Sequence, residues 1–152
     1  MRLKYVNYDI VFQEIPDEVT LAINLSNCPN RCHGCHSPYL QQDIGEPLSE
    51  EVLSKLIDKY GSAITCMCFM GGDAAPEEVI RLLQYVKETW SYKTAWYSGC
   101  NVLPSDLQGL DYIKIGEYKE ELGGLSKITT NQRLYKITNT LEDITFRFRK
   151  CF

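Results

Sequence analysis

Three cysteines lie close together in the segment 26–39, "SNCPNRCHGCHSPY". Cys28, Cys32 and Cys35 follow the spacing C-x3-C-x2-C, and no fourth cysteine occurs within the next thirty residues. Four thiolates complete an ordinary zinc site or an electron-transfer iron–sulfur cluster. Three thiolates on a four-iron cluster leave one iron open to an outside ligand, on the logic by which catalytic zinc sites keep an open position.

A structural zinc site explains the same three cysteines equally well. His33 and His36 flank the third cysteine, and either could complete a Cys3His set of ligands. The chain has seven cysteines, an odd number, and its N-terminus has no sustained apolar segment. We therefore expect a cytoplasmic protein, with no export signal, whose cysteines serve metal or redox chemistry rather than disulfides.

A second candidate segment is "FMGGDAAPEE", residues 69–78. A buried strand is predicted to end at Met70, and Gly71, Gly72 and Asp73 follow it directly. Glycines allow a ligand to approach the backbone closely, and the Asp73 carboxylate can accept a hydrogen bond from an ammonium group. Taken alone, the segment is more typical of a plain turn between a strand and a helix, with an acidic cap.

The elements that must position these residues alternate along the chain. Hydrophobic periodicity predicts strands, helices and one short helical turn. The predicted strands are 19–25, 63–70, 93–97, 111–115, 133–138 and 143–149, the last at a sheet edge; the helices are 48–60 and 75–90, and the helical turn is 103–109. Ser49 is the expected N-cap of the first helix, and Pro76 fits the first turn of the second.

This alternation predicts an α/β fold with parallel crossover connections. A complete eight-fold barrel needs about 250 residues, so a chain of 152 residues can form only a partial, open (β/α) barrel with mostly parallel strands. We expect a single domain over residues 1–152. The long aperiodic segment between Leu25 and Leu48 follows the first predicted strand, at the end of a parallel sheet where ligands bind.

The two motifs together resemble the radical S-adenosylmethionine superfamily. In that superfamily, C-x3-C-x2-C follows the first barrel strand, and a "GGE" motif after the second strand holds the amino group of the cofactor's methionine part. This chain has Asp73 where Glu is commoner. The resemblance implies a radical-SAM-type open barrel, a [4Fe-4S] cluster and S-adenosyl-L-methionine as cofactors, and makes zinc the weaker interpretation.

Further details resemble one branch, the activating proteins of anaerobic ribonucleoside-triphosphate reductase. Gly34 gives the "C-x-G-C" spacing of that branch, "WYSG" (96–99) resembles its third strand end, and "LGGLSKITTNQRLYKI" (122–137) resembles its C-terminal segment. The resemblance implies cluster ligation by the three cysteines and cofactor contacts by a second set of residues. The ligands are Cys28, Cys32 and Cys35; the cofactor contacts are Gly34, Cys35, His36, Gly71, Gly72, Asp73, Ser98 and Gly99. Asn131 and Arg133 are expected at the site mouth or partner surface.

What the branch implies is an oxidoreductase that cleaves S-adenosylmethionine and installs a glycyl radical on the large reductase subunit, with a low-potential electron donor such as a flavodoxin. Alternatives are an activase of another glycyl-radical enzyme, a radical enzyme acting on a small molecule, or a zinc-stabilised interaction module. A net charge of −4 without a basic stripe argues against a nucleic-acid partner. No run of eighteen apolar residues occurs, so we expect no membrane span. Cys66 and Cys68 are expected in the core; no role is assigned to Cys100 or Cys151.

Overall fold

Two α-helices and eight β-strands form the regular structure of the residues that the computed structural model describes, which are 3–30, 34–35 and 37–149. The helices are α1 (Glu50–Tyr60) and α2 (Pro76–Trp90). The strands are β1 (Lys4–Val11), β2 (Thr20–Leu25), β3 (Glu46–Pro47), β4 (Cys66–Met70), β5 (Lys93–Tyr97), β6 (Tyr112–Ile115), β7 (Arg133–Ile137) and β8 (Leu141–Asp143). Short 3-10 helices cover Pro38–Gln41, Gly61–Ala63 and Thr145–Arg149. Four residues named from the sequence lie outside the described ranges: Cys32, His33, His36 and Cys151.

Both predicted long helices are confirmed, and their ends follow ordinary capping chemistry. The Ser49 side chain accepts a hydrogen bond from the Val52 amide at 3.3 Å, which satisfies a backbone donor that the first turn leaves without a partner. Pro76 occupies the first turn of α2, where its missing amide hydrogen costs nothing. Each helix buries one apolar stripe against the sheet. Within the described residues, neither helix is long and apolar enough to cross a bilayer.

The strands form one open sheet in the order β3-β1-β2-β4-β5-β6-β7-β8. The neighbours β2, β4, β5 and β6 pair in parallel, and the remaining described pairings are antiparallel. The prediction of mostly parallel strands therefore holds for the four central strands, and the described sheet as a whole is partly parallel. The fold is a mixed α/β structure that is richer in strands and poorer in helices than a (β/α) repeat.

The two faces of the sheet bury different kinds of side chain, because successive residues of a strand point to opposite faces. The face under the helices is aliphatic and aromatic, with Leu21, Ile23, Phe69, Trp96 and Ile113 in its core. The other face carries smaller and more polar groups, namely Cys66, Cys68, Ala95, Tyr112 and Leu134. Ile15, from the β1–β2 connection, and Ile144 belong to the same buried cluster on this face.

Three local predictions from the sequence were wrong or incomplete. Strand β1 was not predicted, although Val6, Tyr8 and Ile10 alternate with polar residues. Residues 103–109 form bends and a turn rather than a helical turn, since Asp106 caps the amide of Gln108 locally. The segment 143–149, expected as an edge strand, is a strand only at its first residue and continues as a 3-10 helix.

Candidate metal and ligand cleft

The carboxyl ends of the four parallel strands meet at one edge of the sheet, where parallel α/β proteins bind their ligands. The chain leaves β2 at Leu25, β4 at Met70, β5 at Tyr97 and β6 at Ile115. The segments that follow enclose a cleft of about 380 Å³. It is lined by Asn24, Leu25, Cys28, Asn30, Cys35, Ser37, Leu40, Gln41, Met70, Gly71, Asp73, Tyr97, Gly99, Lys114, Tyr118, Gly124, Leu125 and Gln132.

Cys28 and Cys35 both line this cleft and are half-buried thiols rather than disulfides. The Cys28 thiol donates to the Asn30 carbonyl oxygen at 3.5 Å, and the Ser37 amide donates to the Cys35 sulfur at 3.4 Å. Hydrogen bonds to sulfur are among the contacts by which proteins adjust iron–sulfur centres. The structure therefore brings together two of the three predicted ligands; Cys32, the third, lies outside the described residues.

Gly34 occupies a position that excludes a side chain. Its φ is +75°, in the region that favours glycine, and a Cβ there would lie 2.9 Å from the Glu120 Oε2 atom. The turn before Cys35 thus packs directly against the segment that follows β6. His36, which was expected to contact the cofactor, lies outside the described residues.

Gly71 and Gly72 continue β4 into the turn that presents Asp73. Both have positive φ, +100° and +92°. The Gly71 amide donates to the Tyr97 carbonyl at 3.0 Å, and its own carbonyl accepts from the Trp96 indole at 2.7 Å. The first glycine of the predicted motif is therefore fixed to β5 and lines the cleft, while Gly72 is buried against α2.

The Asp73 carboxylate lies in the cleft and accepts three hydrogen bonds. The Ser98 hydroxyl donates to Oδ1 at 2.6 Å; the Asn30 amide nitrogen and the Gly99 backbone amide donate to Oδ2 at 2.7 and 2.8 Å. Ser98 and Gly99 were expected to contact the cofactor, and the structure places both on Asp73. The structure thus assembles Asp73, Ser98 and Gly99 in one place, and their expected contacts with the cofactor stay predictions.

Asn30 and Lys114 are among the polar residues of the cleft that were not predicted from the sequence. The Lys114 side chain is 8% exposed, donates from Nζ to the Gly116 carbonyl at 3.1 Å, and lies 5.5 Å from the centre of the Tyr97 ring. Its strand, "YIKI", reads only as a buried strand, so the alternation that places Lys114 on the polar face was the available signal. Asn30 had no sequence signal, because its contact is with a residue far along the chain.

Asn131 and Arg133 occupy different surroundings. The Asn131 amide donates to the Glu117 carbonyl at 3.0 Å and so ties the segment after β6 to the start of β7. Arg133 forms an ion pair with Asp143 of the neighbouring strand at 3.6 Å. Neither residue lines the cleft, and their expected places at the site mouth or partner surface stay predictions.

The remaining described cysteines differ in exposure: Cys66 and Cys68 are buried, and Cys100 is exposed. Cys66 and Cys68 are fully buried, as expected, and burial raises the pKa of each thiol above its ordinary value. Cys100 follows β5 near the cleft. The pKa of its thiol is raised first by desolvation and then by the negative charge of Asp73. All three thiols are therefore held in their protonated form at neutral pH.

Two thiols lie at the carboxyl edge of the parallel strands, and the comparison with known families shows the class to be that of the iron–sulfur proteins. The sequence profile of the 4Fe-4S single cluster domain family matches residues 19–121, which is more than half of the chain, and the chain belongs to this family. No curated protein and no solved structure gives a significant match. The matched region begins one residue before β2 and includes the cysteine segment, Asp73 and Ser98.

The described residues fit a cluster at this place. Two thiols face one cleft, an amide hydrogen is already directed at one sulfur, and the glycine between the second and third cysteines is required by space. Within the described ranges no three His, Cys, Asp or Glu side chains form a group able to hold a metal ion. Completing the set requires Cys32, outside those ranges. The prediction of a [4Fe-4S] centre is supported by the family.

Proposed function

We propose that this protein is a radical S-adenosylmethionine enzyme that generates a glycyl radical on anaerobic, class III ribonucleoside-triphosphate reductase. The observation that carries the proposal is the shared cleft of the Cys28 and Cys35 thiols and the Asp73 carboxylate, built from the ends of the first two parallel strands. Membership of a 4Fe-4S family supports the cluster, and the cysteine and "GGD" motifs support the cofactor. We propose a cytoplasmic, single-domain enzyme, because thiolate ligands need a reducing compartment.

Within this proposal, each residue of the cleft has a physical task. Cys28, Cys32 and Cys35 hold the cluster as thiolates, and Asp73 accepts a hydrogen bond from the α-ammonium group of the cofactor. The cluster held by these cysteines would supply one electron to the sulfonium of bound S-adenosylmethionine, whose S–C5′ bond would then break to give methionine and a 5′-deoxyadenosyl radical able to abstract hydrogen from a glycine Cα. Leu25, Met70 and Leu125 line the cleft with apolar surface and restrict water.

The partner and the electron source are further parts of the proposal. Ribonucleotide reduction takes place on the large reductase subunit, and a glycine-bearing segment of that subunit must reach the open edge of the sheet. A low-potential donor such as a flavodoxin supplies the electron. Gly34, His36 and Gly71 are proposed to contact the cofactor directly, Gly72 to hold the turn that presents Asp73 to it, and Ser98 and Gly99 to act on it through Asp73.

The test is anaerobic reconstitution with iron and sulfide, followed by iron analysis and electron paramagnetic resonance with and without S-adenosylmethionine. We expect about four irons per chain, a spectrum that changes when the cofactor is added, and release of 5′-deoxyadenosine on reduction. Cys35→Ser and Cys32→Ala should abolish cofactor cleavage, whereas Cys100→Ser should retain the full iron content. Tight zinc with no iron–sulfur absorption would replace this proposal by a zinc-stabilised module.

The partner is tested separately. Incubation of the reduced enzyme and cofactor with the purified reductase should produce an oxygen-sensitive glycyl radical signal on the reductase. Cofactor cleavage without such a signal would point to another glycyl-radical enzyme or to a small-molecule substrate.

A further inference from the structure

The Asp73 carboxylate is nearly saturated by the protein itself. Two carboxylate oxygens offer about four acceptor positions. Three of them are taken, two on Oδ2 and one on Oδ1. The three donors come from two segments: Asn30 lies in the cysteine loop, and Ser98 and Gly99 directly follow β5. A carboxylate held in this way has one fixed orientation.

Asn30 provides the donor that comes from the cysteine loop. Its amide nitrogen lies 2.7 Å from Asp73 Oδ2, although the two residues are 43 positions apart. Its carbonyl oxygen accepts the Cys28 thiol at 3.5 Å. The Asn30 backbone therefore lies beside a predicted cluster ligand, and the Asn30 side chain holds the candidate ammonium-binding carboxylate.

The contact between Asn30 and Asp73 depends on the absence of a side chain at Gly99. A Cβ on Gly99 would lie 2.5 Å from the Asn30 amide nitrogen and 3.4 Å from Asp73 Oδ2. Gly99 is not among the residues with positive φ, so its backbone conformation does not require glycine. Glycine is favoured here because the Asn30 side chain occupies the space that a Cβ would need. Two separate segments are thus arranged so that this amide can reach the carboxylate.

We propose that Asn30 is a positioning residue that orients the Asp73 carboxylate toward the ammonium group of the bound ligand. This inference rests on the proposed function. Asn30 acts through Asp73 and touches no reacting atom. An oriented carboxylate has its rotational freedom removed before the ligand arrives, so binding energy is not spent on orienting it.

The experiment measures anaerobic binding of S-adenosylmethionine to the cluster-loaded protein by calorimetry. Asn30→Ala should weaken binding about fivefold to tenfold, which is less than the loss of a direct hydrogen bond to a charged group would cause, because Asn30 acts only through Asp73; the iron content should be unchanged. A sulfonium analogue that lacks the amino group should bind the variant and the wild type equally. Asn27→Gly is the matched control: Asn27 lies in the same loop, but its amide donates to Asp43 at 3.0 Å, so ligand affinity should stay as in wild type.

Two further variants separate positioning from general support of the loop. In an Asp73→Ala background, Asn30→Ala should have no additional effect on affinity, because the two residues act as a unit. Gly99→Ala leaves the cysteine loop intact and displaces the Asn30 amide from the other side, and it should reproduce the loss of affinity. Gly99→Ala also answers the question if the Asn30 variant does not fold.

The outcomes are distinguishable. Wild-type protein that loads a cluster but does not bind S-adenosylmethionine overturns the proposed function. Wild-type binding with unchanged affinity in both Asn30→Ala and Gly99→Ala overturns the role of Asn30 alone. Loss of iron in Asn30→Ala, or an equal loss of affinity for the amino-free analogue, shows that Asn30 supports the loop and overturns positioning.

Discussion

Asp73 is the residue on which the electrostatics of the cleft depend, because it carries the negative charge beside the thiols. Asp73→Asn keeps the size of the side chain, and its amide oxygen can still accept from Asn30 and Gly99. The charge is lost, however, and hydrogen bonds to charged groups are worth about 1.5–3 kcal/mol. We expect binding of S-adenosylmethionine to weaken about tenfold to a hundredfold, with the iron content unchanged.

The matched control for this prediction is Asp58→Asn, which removes the same charge from an exposed position on α1. Calorimetry on the cluster-loaded protein provides the comparison. Equal affinity in wild type and Asp73→Asn would mean that the ammonium group binds elsewhere. Loss of the cluster in Asp73→Asn would mean that the residue supports the metal centre instead.

At this scale the sequence predicted the residue types better than their contacts. Cys28, Cys35 and Asp73 could be found because their spacing and their places after predicted strands are local signals. The contact between Asn30 and Asp73 joins two loops, and no local pattern encodes it. Ser98 and Gly99 were correctly placed near the site, but a sequence cannot show that their donors point to Asp73.

Among the elements, the packing of α2 against the sheet depends on Gly72, two residues after the end of β4. A Cβ on Gly72 would lie 2.5 Å from Val79 Cγ2 and 3.0 Å from Leu25 Cδ1, and its φ is +92°. Gly72→Ala must therefore strain the backbone and push α2 from the sheet. We expect a loss of about 2–4 kcal/mol in the free energy of unfolding, measured by urea denaturation.

Gly124→Ala is the control for this substitution. Gly124 has no positive φ, and the nearest atom to an added Cβ is Gln132 Oε1 at 3.9 Å. Its free energy of unfolding should stay within about 0.5 kcal/mol of wild type. A free energy of unfolding in Gly72→Ala as close to wild type as that of Gly124→Ala would show that α2 tolerates the displacement.

Tyr112 is buried on the sheet face that also carries Cys66 and Cys68, and it makes the stability of the fold sensitive to alkaline pH. Burial, and then the charge of Glu18, raise the pKa of Tyr112 above its ordinary value of 10.0. The folded state therefore favours the neutral phenol. Its contribution to stability is complete below pH 10 and is lost as the pH rises above that value, because the unfolded chain ionises first.

Tyr112→Phe should consequently flatten the fall in melting temperature between pH 9.5 and 11, relative to wild type. The slope removed for one group is at most about 1.4 kcal/mol per pH unit. Tyr39→Phe, at an exposed position, should leave the slope unchanged. Equal slopes in wild type and Tyr112→Phe would show that Tyr112 ionises in the folded protein as it does in the unfolded chain.

Helices and strands could be predicted from the sequence where the same hydrophobic periodicity continued over enough residues. Helices α1 and α2 and the parallel strands have strong periodicity and clear caps. The segment 143–149 alternates like a strand, yet Thr145 turns inward, is fully buried and donates nothing to a ladder; its hydroxyl instead accepts the Leu134 amide at 2.8 Å. The conformation of this segment is therefore set by its tertiary contacts and not by its local strand propensity.

Across the whole described sheet, the four central strands are parallel and carry the cleft, and the strands on either side of them pair antiparallel. The four parallel strands supply every strand end that lines the cleft. Connections such as that between β1 and β2 are short and force antiparallel pairing, which the sequence did not reveal for residues 4–11. The expected radical-SAM-type barrel, the single domain and the reductase partner stay predictions, whereas the 4Fe-4S family and the partly parallel α/β sheet are established.

The last prediction concerns removal of the cluster. The cysteine turn packs at Gly34 against Glu120, so a metal centre in the loop also holds the segment after β6. A ligand that binds only the folded state stabilises it. Chelation of iron should therefore lower the melting temperature by at least about 5 °C.

Hydrogen–deuterium exchange locates this effect. Removal of the cluster should increase exchange in peptides covering 37–45 and 117–125. The buried turns of α2 should stay protected, because they pack in the main core against the sheet. Cys100→Ser, with all three proposed ligands intact, provides the control and should show the wild-type pattern with and without iron. An increase spread evenly over both helices would mean that the cluster stabilises the domain as a whole and that the contact between Gly34 and Glu120 transmits nothing specific.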